Sequence, residues 1–113
     1  MDKEINTKKQ PKKANPKIDL KQDLNEKLIK YEAITLKALR EIQTKNGLSE
    51  KEELIAKDFL SMAKNYFNDA KYFKEKDKLL ISLAAFSYAH AWLDAGVRAG
   101  FFVTTNDQLF TLP

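Results

Sequence analysis

Three long stretches of the chain repeat apolar residues at intervals of three and four, the spacing that places side chains along one side of an α-helix. These stretches cover about residues 19–45, 49–76 and 77–99. The segments between them are short, and short connections join antiparallel neighbours in helical bundles. No alternation of apolar and polar residues is long enough to predict a strand. The pattern therefore predicts an all-α fold, an antiparallel up-down-up bundle of three helices.

Local signals mark the ends of these predicted helices. The dipeptide Asn46-Gly47 favours an end to the first helix, since both residues tolerate the left-handed backbone conformation. Ser49 with Glu52 three residues later has the pattern of a capping box, which predicts the start of the second helix. Asp77 is predicted to be the N-cap of the third.

The third segment is apolar on nearly all sides, which predicts that it lies in the middle of the bundle. Its alanines and Gly96 would let a neighbouring backbone approach closely, and Gly100 is expected to end the helix. The tail that follows, residues 101–113, contains six large apolar residues: Phe101, Phe102, Val103, Leu109, Phe110 and Leu112. We expect this apolar C-terminal tail to fold back on the bundle. The alternative is that it presents an apolar surface to another chain.

The charge of the chain is concentrated at the N-terminus. Residues 1–17 hold six lysines against Asp2 and Glu4, so the whole formal excess of +4 falls in this segment. The segment is also poor in apolar residues and contains two prolines. Since such a composition cannot offset the entropy of ordering, we predict a disordered basic arm at 1–17 and a single helical-bundle domain at 18–113.

A lysine-rich arm can contact nucleic-acid phosphates without sequence preference, and such binding weakens steeply with salt. The residues that could make these contacts are Lys8, Lys9, Lys12, Lys13 and Lys17. The alternative is that the arm only solubilises the protein.

Several classes of function are excluded by residues that the chain lacks. It has no cysteine, so disulfides, thiolate catalysis and cysteine-ligated zinc are ruled out, and its one histidine excludes any site that needs two imidazoles. No P-loop, dinucleotide fingerprint or hydrolase elbow is present. The most apolar run, residues 79–93, is too short to span a membrane. We therefore expect a cytoplasmic protein with no enzymatic activity, no cofactor, no metal and no membrane association.

One polar ladder could still carry chemistry. His90, Asp94 and Arg98 follow one another at intervals of four residues, which places them along one side of the third helix. A carboxylate between an imidazole and a guanidinium could orient the histidine as a base. The alternative, which we favour, is a structural seam, because no nucleophile accompanies the ladder. On the second helix, Asp69 is expected to bond a tyrosine or a backbone group rather than to pair with Asp94.

Two segments together form a specific pattern. They are residues 63–73 (Ala-Lys-Asn-Tyr-Phe-Asn-Asp-Ala-Lys-Tyr-Phe) and 84–96 (Ala-Ala-Phe-Ser-Tyr-Ala-His-Ala-Trp-Leu-Asp-Ala-Gly). This pattern resembles the archaeal family catalogued as domain of unknown function 357, and the resemblance covers about residues 20–112. It implies an archaeal, cytoplasmic three-helix bundle without an assigned activity. The residues that belong to the pattern are Tyr66, Asp69, Tyr72, Tyr88, Trp92 and Asp94.

These observations favour a non-enzymatic interaction module, whose partner is another protein or a second copy of the chain. The alternative function is a nucleic-acid-associated accessory protein that uses the lysine-rich arm. A third hypothesis is a small-molecule pocket between the second and third helices, lined by Tyr66, Tyr88 and Trp92.

Overall fold

The fold is a bundle of three helices, as the sequence predicts. The computed structural model describes residues 16–106 and 108–110. Helix α1 spans Pro16–Glu41, α2 spans Glu50–Glu75 and α3 spans Leu79–Arg98. Most of the predicted N-terminal arm lies outside the described residues, although its last two positions, 16 and 17, belong to α1. Pro16 occupies the first helical position, where the missing N–H of proline costs nothing.

Helix α3 packs against both other helices, which confirms its predicted central position. Its register on α2 is antiparallel. The Ser82 hydroxyl donates a hydrogen bond of 2.6 Å to the Ala70 carbonyl, and the rings of Phe67 and Phe86 meet at 5.4 Å between centroids. Because earlier residues of α2 contact later residues of α3, Asp69 lies beside the N-terminal half of α3 and far from Asp94.

The capping box at the start of α2 is confirmed. The Glu52 backbone N–H donates to the Ser49 hydroxyl at 3.1 Å, and the Ser49 backbone N–H donates to the Glu52 carboxylate at 2.9 Å. These two bonds satisfy amides that the helix itself cannot pair.

The predicted role of Asp77 is wrong, because Asp77 ends α2 rather than starting α3. Its φ is 59°, in the left-handed region, and its backbone N–H donates to the Lys74 carbonyl at 3.1 Å. The N–H of Lys78 donates to the Phe73 carbonyl at 2.9 Å. The two bonds form a Schellman motif, and aspartate is one of the residues that tolerates its left-handed position. Helix α3 follows with Lys78 as its N-cap.

Gly100 ends α3 by the same motif, as predicted. Its φ is 83°, and its N–H donates to the Val97 carbonyl at 3.1 Å. The N–H of Phe101 donates to the Gly96 carbonyl at 2.9 Å. This turn reverses the chain and directs the tail back onto the bundle.

The end of α1 differs from the sequence prediction, because α1 stops at Glu41 rather than near residue 45. The next residues form a short strand, β1 (Gln43–Thr44), which pairs antiparallel with β2 (Phe102–Val103). The N–H of Lys45 extends the pairing with a 2.9 Å bond to the Phe101 carbonyl. Residues 43–44, which the sequence predicts to lie in the last turn of α1, pair with the tail instead.

The described part of the apolar tail, residues 101–106 and 108–110, folds back on the bundle as expected, whereas Leu112 lies outside the described residues. Phe102 and Phe110 are only 3% and 4% exposed, and both join the core cluster that contains Leu93 and Val97. Within the part of the chain that the structure describes, no helix has the length and apolar character needed to cross a membrane.

An uncharged face on the third helix

One side of α3 is not covered by the rest of the bundle. Its buried residues, which include Ser82, Phe86, Ala89 and Leu93, repeat at intervals of three and four and face the core. The opposite side is exposed and uncharged over four turns of the helix. We call this surface the α3 face, and its residues are Leu80, Ala84, Ser87, Tyr88, Ala91 and Ala95.

The large side chains on and beside this face are well exposed. Leu80 is 71% exposed, Tyr88 is 57% exposed and the neighbouring Ile81 is 52% exposed. Sequence reasoning missed the face because the all-round apolar character of α3 suggested burial on every side. The signal that could have found it is the uncharged series of small residues at 84, 87, 91 and 95.

Aromatic side chains from α2 border the α3 face. The rings of Tyr66 and Tyr88 meet at 5.5 Å between centroids, and those of Phe59 and Trp92 meet at 5.0 Å, with 78° between their planes. The rings of each pair are in direct contact where the sequence suggests a pocket lined by Tyr66, Tyr88 and Trp92. This direct contact favours a packed aromatic border over a ligand cavity.

The remaining aromatic and acidic residues of the second-helix pattern are spread around α2. Asp69 is exposed, and within the described residues it makes no hydrogen bond, contrary to the bond expected from the sequence. Tyr72 is also exposed, with its ring 5.7 Å from that of Phe73 and the Lys76 ammonium 5.5 Å from its centroid. The pattern thus combines residues at the α2–α3 contact with residues on the outer surface of α2.

His90 is held under the tail. Its ring stacks on that of Phe110 at 5.7 Å between centroids, with 19° between the planes. Its Nε2 atom is buried and has no hydrogen-bond partner within the described part of the chain. Asp94 is half-buried and Arg98 is exposed. The stacking against Phe110 favours a packing role for this histidine over a role as a general base.

A shallow polar cleft lies where the end of α1 and strand β1 meet the tail, and it has a volume of about 460 Å³. Its lining consists of Arg40, Glu41, Gln43, Val103, Thr104 and Thr105. The Glu41 carboxylate accepts a 3.0 Å bond from Asn106 Nδ2 and lies 3.9 Å from Lys37 Nζ, so its charge is already compensated within the fold. Among the described residues, no group of three or more His, Asp or Glu side chains is arranged to hold a metal ion.

A row of lysines follows the outer side of α2. Lys57, Lys64 and Lys71 are seven residues apart, about 10 Å along the helix, and all three are exposed. None of them forms an ion pair within the described residues, whereas Lys74 bonds Glu32 at 2.7 Å. The sequence leaves an uneven charge face on the bundle possible but does not locate this row, because a balanced total charge over residues 18–113 says nothing about where the charges lie on the surface.

Comparison with known proteins agrees with the architecture. A family model described as "Protein of unknown function (DUF357)" matches residues 30–102. The crystal structure of protein AF1782 from Archaeoglobus fulgidus, from the same family, is similar to this chain with a TM-score of 0.60 and 24% sequence identity. The similarity covers 76% of this chain and 99% of that chain, and at this identity it shows the fold alone. No curated protein matches the chain.

Proposed function

Because the chain belongs to the family described as protein of unknown function (DUF357), membership brings no activity with it, and we propose from the geometry that the protein is a non-enzymatic interaction module. The observation that carries the proposal is the exposed, uncharged α3 face with its aromatic border. The outer sides of α1 and α2 carry exposed lysines and glutamates, whereas the α3 face carries neither.

The physical argument concerns what an exposed apolar helix side requires. Contiguous exposed apolar surface beyond a few hundred Å² marks an interaction site in soluble proteins, whereas single exposed apolar residues do not. On the α3 face, Leu80 and Tyr88 belong to one strip whose other members are alanine and serine. Tyrosine suits such surfaces, because it supplies apolar area and a hydrogen-bonding hydroxyl together.

Capture from cells by the purified protein tests this proposal, with Ala91→Glu as the disrupting variant. The substitution places a charge in the middle of the α3 face. Ala33→Glu, at an exposed alanine on α1, is the matched control, because it introduces the same charge outside the face. Nuclease treatment of half of each sample separates proteins held directly from those held through nucleic acid.

We expect the captured proteins, or copies of the chain itself, to be lost with Ala91→Glu and retained with Ala33→Glu, while both variants keep the melting temperature of the parent. Equal capture by both variants would contradict the proposal. So would a turnover activity that disappears in His90→Ala without a change in melting temperature.

The lysine row on α2 favours a second candidate function, association with nucleic acid. Lys57, Lys64 and Lys71 present three exposed cations along one helix, and the lysine-rich arm would add to them. Phosphate contacts release counterions, so affinity should fall steeply with salt and depend little on sequence.

Titration of a fluorescent RNA or DNA at several salt concentrations tests this second function. We expect the salt dependence to become shallower in a Lys57→Gln, Lys64→Gln, Lys71→Gln triple variant and in a chain that lacks residues 1–15. A triple variant at other exposed lysines, Lys21, Lys27 and Lys37, is the control. Absence of binding by the full chain at low salt would refute this candidate.

A further inference from the structure

We infer that the α3 face binds the same face of a second copy of the chain, with the two α3 helices antiparallel about a two-fold axis between Ser87 and Tyr88. The inference rests on the proposed interaction function and names its partner. It follows from the order of side chains along the face, from their sizes and from the charges at the two ends.

The positions of the α3 face are symmetric about that axis. An antiparallel partner centred there places Leu80 opposite Ala95 of the second copy and Ala84 opposite its Ala91. Ser87 then lies opposite Tyr88. Every member of the face meets another member, which is the condition for an isologous interface between identical chains.

The sizes of the paired side chains are complementary. Leu80, the bulky residue at one end, faces Ala95, the small residue at the other, and Tyr88 faces Ser87. The pair formed by Ala84 and Ala91 has no long side chains, so the two helix backbones can approach closely between the larger pairs. The intervals of four and three along 80, 84, 87 and 91 also match the seam along which helices pack in antiparallel pairs.

The charges at the ends of the face are also complementary. The first charged residue beyond Ala95 on this side of α3 is Arg98. The same pairing places Arg98 beyond the start of α3 in the second copy, near the α2–α3 turn that contains Asp77. The carboxylate of Asp77 is 71% exposed and is 3.4 Å from Lys21 Nζ. An Arg98–Asp77 contact at each end would form in exchange for interactions that both side chains already make within their own chain, so it would set the register of the pair more than its affinity.

The other available segment of this chain does not suit the face. The N-terminal arm has six lysines and few apolar residues, so it could not replace the water on Leu80 and Tyr88 with apolar contacts. A second copy, in contrast, supplies an uncharged surface of the same length and complementary shape.

Cysteine crosslinking of the purified full chain tests the inference, and the absence of native cysteine leaves no background. Ser87 is beside the axis, so Ser87→Cys should crosslink to itself under mild oxidation or with a short bismaleimide. Ala33→Cys, on the outer side of α1, should not. An equal mixture of Ala84→Cys and Ala91→Cys should crosslink more than either variant alone, because the two positions face each other only in the antiparallel arrangement.

The mass in solution gives a second measurement. We expect light scattering to find twice the chain mass of 13.0 kDa for the parent and for Ala33→Glu, and the single chain mass for Ala91→Glu. A parent that is monomeric at concentrations up to about 100-fold above those used for capture would overturn the inference. So would a dimer that is unchanged in Ala91→Glu, or stronger self-crosslinking of Ala84→Cys alone than of the mixture.

These outcomes separate failure of the inference from failure of the proposed function. A monomeric parent that still captures a protein lost in Ala91→Glu would leave the interaction function standing with a different partner. A monomeric parent that captures nothing sensitive to Ala91→Glu would contradict both.

Discussion

Gly96 lies where the last turn of α3 meets the ring of Phe102 from the tail. A Cβ atom added at Gly96 would overlap the Cδ2 and Cε2 atoms of that ring. The close approach expected at this glycine is therefore made by an aromatic ring, not by a neighbouring backbone. Phe102 cannot easily move away, because its backbone belongs to β2 and pairs with Thr44.

Gly96→Ala should destabilise the fold even though alanine is the better helix former. The gain in helix propensity is at most about 1 kcal/mol. Displacing a packed ring costs about 1–3 kcal/mol, so we expect a net loss of up to about 2 kcal/mol in the free energy of unfolding. Urea denaturation measures this loss, and Gly96→Ala should cost much less when it is added to a Phe102→Leu variant, with that single variant as the reference. A stabilised single variant would contradict the packing at this site.

Thr35 is a fully buried residue of α1 whose hydroxyl has no hydrogen-bond partner within the described residues. An unpaired buried hydroxyl loses its hydration without compensation, at a cost of about 1–3 kcal/mol. Thr35→Val keeps the shape of the side chain and removes that cost. We therefore expect this variant to raise the free energy of unfolding by about 1 kcal/mol, whereas Thr35→Ala should lower it by leaving a cavity. Thermal unfolding of the two variants side by side checks the prediction.

At the scale of the elements, the start of α2 is fixed by the capping box of Ser49 and Glu52. The hydrogen bonds that Glu52 receives from the backbone and the hydroxyl of Ser49 lower the pKa of the Glu52 carboxyl below its usual value of 4.5. A carboxyl whose pKa is lowered by folding stabilises the folded state above its unfolded pKa. That contribution is lost as the pH falls below 4.5 and through the lower pKa of the folded state.

Substitutions in the capping box should separate its two parts. Ser49→Ala should cost about 1 kcal/mol at neutral pH, because it removes an N-cap hydroxyl. Glu52→Gln should make the loss of stability below pH 4.5 less steep, since glutamine does not titrate. Glu50→Gln, in the same turn but without a bond to Ser49, is the control. Urea midpoints measured between pH 7 and pH 3 give the comparison. If the midpoints of the parent, Glu52→Gln and Glu50→Gln fall equally steeply with pH, the role of Glu52 is refuted.

The boundaries of the elements show which signals a sequence can carry. Ser49 with Glu52 and Gly100 were predictable, because each signal acts within one turn of its helix. Asp77 was not, since aspartate favours both an N-cap and a left-handed C-terminal position and only the packing of α2 on α3 decides between them. The pairing of β1 with β2 joins residues nearly sixty positions apart, and strands of two residues have no periodicity to read.

The candidate site also has features that the sequence predicts and features that it cannot predict. Periodicity predicts that α3 is central, but it cannot say how much of an all-apolar helix the other two helices cover. The exposure of Leu80 and Tyr88 depends on the placement of α1 and α2, which is a property of the whole bundle. The predicted closeness of Asp69 to the N-terminal half of α3 followed from antiparallel order alone, and the contact of Ala70 with Ser82 confirms it.

On the scale of the whole molecule, the tail closes one end of the bundle. Phe102 and Phe110 join α3 residues and Ala38 of α1 in one core cluster. The tail also links the ends of two helices, because Asn106 Nδ2 donates to the Glu41 carboxylate at 3.0 Å and β2 pairs with β1. It therefore acts as a fourth packing element, although it contains no helix among its described residues.

Truncation after Gly100 should weaken the entire fold. Removing two buried phenylalanines forfeits about 1.5–3 kcal/mol for each. The total, about 3–6 kcal/mol, is a large part of the 5–15 kcal/mol that stabilises a typical domain. Guanidinium denaturation followed by circular dichroism should show a lower midpoint for the truncated chain, while Val103→Ala, which changes an exposed side chain of β2, should stay within about 1 kcal/mol of the parent. Equal midpoints for the truncated and full chains would show that the three helices alone hold the core, with Phe102 and Phe110 only resting on it.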